Sequence, residues 1–156
     1  MNDNEKLIEH FYKSFAQKDY KAMQDCYADN VTFSDAVFQD LNSTQVRAMW
    51  EMLIKRGSDL EIRFQNVSAD KKRGSAEWIA NYTFSQTGNK VENRITANFE
   101  FENGKIVKHI DSFDFYRWSS QALGLSGKLL GWTSFLQKKV RAKARKGLAE
   151  FMEKRG

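Results

Sequence analysis

The chain has 156 residues, a formal net charge of +5, 41% hydrophobic and 13% aromatic residues. That length makes one domain with room for a real core, and no apolar run nears the ~20 residues that a bilayer-spanning helix needs. Cys26 is the single cysteine, which excludes an intrachain disulfide, and the opening MNDNEKLIEHF has no basic-then-apolar signal region, so a cytoplasmic protein is expected.

The charge is uneven. Residues 138–155 hold eight lysines and arginines against Glu150 and Glu153, a net of +6, so the rest of the chain sums to −1. The basic character therefore belongs to the C-terminal tail.

In chain order, Asp3 or Asn4 can cap a first helix along which Leu7, Phe11 and Phe15 form an apolar stripe. Asp19 can cap a short second helix carrying Met23, Cys26 and Tyr27, and VTFSD, ending in Asp35, reads as a strand. LNSTQVRAMWEMLIKRG predicts a third helix, capped by Ser43 or Thr44 and stopped by Gly57, with Val46, Met49, Trp50 and Leu53 on its stripe.

The hydrophobic period then changes from about 3.6 to 2. LEIRFQNV, SAEWIANYTFS, NRITANFEF and KIVKHIDSFDFYRW alternate as strands, with turns at Thr87-Gly88-Asn89 and Asn103-Gly104. Asn-Gly is the dipeptide a tight hairpin demands. Helices first and long antiparallel strands after them predict an α+β fold.

From about Ser119 a glycine-rich loop, ALGLSGKLLGW, is expected. A helix capped by Thr133 or Ser134 follows, with Leu136, Val140, Ala144 and Leu148 on one side, extended by Phe151 and Met152. That side is expected to pack on the domain, because Trp132, Phe135, Leu136 and Val140 need burial. Contact of residues 138–155 with a membrane surface, nucleic acid or an acidic protein is the competing reading. No aromatic residue is interleaved with the charges between Lys138 and Lys146, as a nucleic-acid platform would require.

In KHIDSFDFYRW, His109 and Asp111 stand two apart, so on a strand they share a face. They are either a solvated pair or part of a pocket. Asp114 falls on the opposite face and reads as structural.

FAQKDYKAMQDCYADNVTFSD, two short helices running through Tyr-Ala-Asp-Asn into a strand, resembles the opening of SnoaL-like and ketosteroid-isomerase-like proteins of the nuclear transport factor 2-like superfamily. The resemblance covers roughly residues 5–118, and DSFDFYRWSSQALG with GWTSFL and VRAKAR resembles a SnoaL-like subfamily. It implies a cone-shaped domain over residues 1–118, with 119–156 as a loop and basic helix packed on it, and a homodimer. In such folds helices and a bent sheet enclose a cavity. The overlay puts Asp35 where the isomerases keep their carboxylate base, turns His109, Asp111 and Phe113 inward from the last strand, and adds Trp78, Tyr82 and Phe84 from the preceding hairpin. The tyrosine and protonated aspartic acid that complete the isomerase site fall here on Phe11 and Ala97, so steroid isomerisation is not expected.

The expected chemistry follows from burial. A carboxylate in an apolar cone loses hydration, which raises its pKa and makes it a base near neutrality. Asp35 is the predicted base, and His109 with Asp111 the acid or orienting pair. Phe11, Phe15, Trp50, Trp78, Tyr82, Phe84 and Phe113 are predicted to wall a pocket for a small apolar or aromatic molecule, though such rings also make an ordinary core. The reaction classes are isomerase, hydratase, cyclase or epoxide hydrolase, and a non-catalytic carrier or sensor is the alternative. Such chemistry needs no cofactor. A metal site is not expected, because a facial triad wants two histidines and the other one, His10, sits beside the stripe of the first helix. Cys26 lies on an apolar helix face, which does not suit a nucleophile.

Overall fold

The computed structural model describes residues 1–155. The order is α1 (Asp3–Ala16), α2 (Tyr20–Asp25), β1 (Tyr27–Ser34), α3 (Ser43–Arg56), β2 (Glu61–Ala69), β3 (Arg73–Phe84), β4 (Asn89–Glu102), β5 (Lys105–Ser112), α4 (Phe115–Leu123), α5 (Leu125–Leu130) and α6 (Ser134–Arg155). The strands form one curved sheet ordered β1-β5-β4-β3-β2. β2 to β5 make an antiparallel meander, and β1 adds to β5 in parallel. The β4–β5 hairpin closes on Asn103 and Gly104, both with positive φ, as that dipeptide predicts.

α1 lies across the sheet and buries Ile8, Phe11, Tyr12 and Phe15. This is the i, i+3, i+4, i+7 set of one helix face. Phe11 and Phe15 of the predicted stripe are thus buried, Leu7 is only half-buried, and Ile8 and Tyr12 widen the buried face. The cap of α1 is Asn2, whose side chain accepts from Glu5 N–H, in place of Asp3 or Asn4. α3 is capped by Asn42 in a reciprocal capping box with Gln45, not by Ser43 or Thr44. A residue one position earlier reaches the free N–H groups just as well, and propensity alone does not choose between neighbours.

Tyr27 opens β1 instead of ending α2, and Cys26 is the helix C-cap. β5 stops at Ser112, where Asp114 caps α4 by accepting from Arg117 N–H, so FYRW is helical. The expected glycine-rich loop is mostly two helices, α4 and α5. Its glycines serve close approach, since a Cβ at Gly127 or Gly131 would collide with Ser119.

α6 begins with the Thr133 hydroxyl accepting from Leu136 N–H. Leu136 and Leu148 are buried and Val140 is half-buried, so this side does pack inward. Trp132 and Phe135 do not: they are 72% and 69% exposed. Phe135 stands about 100° around the helix from Leu136, and the indole of Trp132 folds back to donate to Leu129 O. α6 is tied to the helices and loops beside it. Arg155 pairs with buried Glu51 at 2.8 Å, and Arg141 and Arg145 donate to Ala36 O and Gln39 O.

Candidate functional site

The inner face of β5 carries His109 and Asp111, both buried. Register places Phe33 of β1 and Phe99 of β4 on either side of His109, and their rings flank the imidazole at 4.9 and 4.4 Å. His109 Nε2 lies 2.9 Å from Asp111 Oδ1, and His109 Nδ1 lies 2.8 Å from the Tyr27 hydroxyl. The indole N–H of Trp50 donates to the Tyr27 oxygen at 2.8 Å, and that of Trp78 donates to Asp111 Oδ1 at 3.3 Å. An indole N–H can only donate. With a neutral imidazole, the Tyr27 O–H is then left for His109 Nδ1, and His109 Nε2–H faces the carboxylate. Trp50, Tyr27, His109 and Asp111 thus form one directed chain reaching from α3 through β1 to β5.

Asp35 follows β1 in a tight loop. Its Oδ1 accepts from the N–H of Val37 at 2.7 Å and of Phe38 at 2.6 Å. Burial pushes its pKa up to about 6. The Phe38 and Val37 hydrogen bonds act against that rise, as does His109, while Asp111 adds to it. Asp35 thus feels both members of the β5 pair. As a residue Asp35 is half-buried, whereas His109 is fully buried.

The seven predicted wall residues fall into two groups. Phe11, Phe15, Trp50 and Trp78 are buried in the main core and pack on one another, with Phe15 to Trp50 at 5.0 Å and Phe11 to Trp50 at 5.9 Å. Tyr82, Phe84 and Phe113 are half-buried and pack, with Ala36 and Val37, against a second cluster formed by Val91, Phe115, Trp118 and Ala122. There the Trp118 indole donates to the Tyr82 hydroxyl at 2.8 Å. Burial, reinforced by the Asp35 carboxylate, pushes the Tyr82 phenol up. Ala36 and Val37, which follow Asp35, thus pack on the same cluster as Tyr82 and Phe113, and Tyr82 lies within electrostatic reach of Asp35. Two open surface concavities, of about 520 and 470 Å³, lie elsewhere. The first runs beside Arg47 and Lys105; the second, beside Asp59 and Lys90, meets the second cluster at Tyr82 and Val91.

Two tyrosines of this interior escape sequence reasoning. The apolar spacing of Met23, Cys26 and Tyr27 suggests a helix, yet Tyr27, Val31 and Phe33 share strand parity, as the burial along β1 shows. Tyr12 packs on Phe64, Trp78 and Phe99, and its buried hydroxyl has no hydrogen-bond partner among the described residues. Burial, with a further push from Asp111 and Tyr27, holds its phenol well above the usual range. Cys26 is buried with its thiol pushed up to about 12, which makes it a poor nucleophile.

α-Helices on a curved five-stranded sheet of this order make the nuclear transport factor 2-like, ketosteroid-isomerase-like fold. An LEH-like epoxide hydrolase of M. tuberculosis superposes with a TM-score of 0.66 at 17% identity, over 82% of this chain and 96% of that one. A protein of Streptomyces antibioticus proposed to be a polyketide cyclase gives 0.65 at 16%, over 80% and 100%. A ketosteroid-isomerase-like protein of Catenulispora acidiphila, in complex with trimethylamine, gives 0.66 at 10%, over 81% and 96%. At these identities the likeness is one of fold. The SnoaL-like domain family matches residues 8–109, and the chain belongs to that family. No curated protein matches its sequence.

Proposed function

We propose that the protein binds a small, mainly apolar molecule at the end of the cone beside Asp35 and acts on it by acid–base chemistry without a cofactor. The observation that carries this reading is Asp35 itself: a half-buried residue whose carboxyl is desolvated to a pKa of about 6 and held by two backbone N–H groups through one oxygen. A group poised there is ionised at neutral pH and takes a proton readily. Tyr82 and Phe113 supply an apolar wall, and the Tyr82 hydroxyl a polar end. His109 and Asp111 are sealed from solvent, so their part is to orient and to set the field at Asp35, not to touch the ligand directly. The fold-mates that hydrolyse epoxides or bind small molecules support a substrate of that size.

The test is Asp35→Asn, assayed against a panel of small epoxides and ketones. Turnover should fall at least about 10²-fold, ligand affinity should change little, and the wild-type rate should rise through a limb near pH 6. Turnover that survives the substitution would remove Asp35 as the base. One observation favours a carrier instead: both ring nitrogens of His109 are already paired inside the protein. For a carrier the same panel gives binding with no turnover in either protein.

A further inference from the structure

Six of the exposed large apolar side chains come from one stretch of chain: Tyr116, Leu125, Leu129, Leu130, Trp132 and Phe135. Leu125 and Trp132 are each 72% exposed, Phe135 69% and Leu129 61%. They come from α4, α5, the turn after it and the start of α6. They are held in place: the Trp132 indole donates to Leu129 O, the Tyr116 hydroxyl to Lys128 O, and Thr133 caps α6. None of these six side chains belongs to either buried core cluster.

The charge along this stretch of chain has one sign. Residues 115–149 contain eight lysines and arginines and no aspartate or glutamate. Arg141, Arg145 and Lys143 are engaged with Ala36, Gln39 and Gln86, but Lys128, Lys138, Lys139 and Lys146 are exposed and their side chains make no hydrogen bond or ion pair among the described residues. On α6 the spacing 135, 138–139, 142 and 146 keeps Phe135, these lysines and Ala142 on one outward side. We infer that α5 and the outward side of α6 form a docking face for an anionic lipid surface. Leucines with a tryptophan and a phenylalanine would enter the headgroup boundary, and the lysines beside them would meet lipid phosphates.

The alternatives fit less well. A second copy seated on the same face about a two-fold axis would bring like charges together across the contact. A nucleic-acid strand would leave the three leucines in water, since bases stack on aromatic rings. A lipid surface demands no shape complementarity from an exposed patch.

The experiment is co-sedimentation of the full chain with vesicles of phosphatidylcholine alone and of phosphatidylcholine with phosphatidylserine. The protein should sediment with the anionic vesicles, weakly with the neutral ones, and less as salt rises. Trp132→Ser with Phe135→Ser should cost about tenfold in binding, and Lys138→Glu with Lys139→Glu roughly thirtyfold or more. Both pairs are exposed, so thermal melting of the free protein should not move. Absence of sedimentation with the anionic vesicles overturns the inference, as does sedimentation that neither pair alters. It is also overturned if the free protein is a dimer that Trp132→Ser and Phe135→Ser dissociate, or if these lysine changes abolish binding to single-stranded RNA while vesicles are not bound.

Discussion

Asp35 shows how a single carboxyl acquires its character from its surroundings. Its pKa of about 6 stands above the ordinary 3.8 because burial outweighs the two backbone hydrogen bonds and the nearby histidine. The sign of the consequence is fixed. A raised folded-state pKa means that the folded chain binds a proton more tightly than the unfolded one, so Asp35 adds stability below about pH 4 and loses that contribution as pH rises through 6. Asp35→Asn keeps a carbonyl oxygen for Val37 and Phe38 N–H but carries no charge. Above pH 6 the variant should be more stable than the wild type by roughly 1–3 kcal/mol, a gap that closes toward pH 4. Urea denaturation at pH 4.5 and 7 measures it. A cost in stability of this kind is what a group kept for function, as proposed for Asp35, imposes on its fold.

At the scale of elements, β5 and its neighbours assemble the buried chain from Trp50 to Asp111, and α3 fixes one end of it. α3 starts from the Asn42–Gln45 capping box and presents Trp50 two turns later. Asn42→Ala should cost about 0.5–2 kcal/mol in stability, read as a lowered denaturation midpoint with unchanged slope. An unchanged midpoint would mean that packing of Val46, Met49 and Trp50 alone holds the helix. The hairpins were plain from Asn103-Gly104 and from alternation. The start of β1 was not, because Asp29 and Asn30 interrupt its alternation with two exposed polar residues where the register to β5 shifts.

At the scale of the molecule, the basic tail is part of the structure that holds Asp35. Arg141 and Arg145 bind the 36–39 loop, Glu51 receives Arg155 and Lys55 at 2.8 Å, and Leu148 joins the main core. Burial works against the Glu51 carboxylate, yet the hydrogen bonds from Lys55 and Arg155 hold it below its usual range. Leu148→Ala should therefore lower global stability by about 2–5 kcal/mol while unfolding remains one transition. A separate early transition of α6 would show instead that the tail is an appended unit. Two faces of the same helix thus differ in use, one docked against the domain and the other carrying unpaired lysines.

Periodicity and turn chemistry, which are local properties, determined by themselves that helices precede an antiparallel meander, where the Asn103-Gly104 turn falls, and that His109 and Asp111 share a face. Resemblance in the Tyr-Ala-Asp-Asn stretch added the fold. Tertiary structure alone decided that Tyr12 and Tyr27 enter the interior, that Asp35 lies within electrostatic reach of a pair more than seventy residues away, and that Trp132 and Phe135 stay in water. The reason is physical. Which side of a helix is buried, and how much water a carboxyl keeps, depends on what the rest of the chain lays against it, and no window of sequence contains those neighbours.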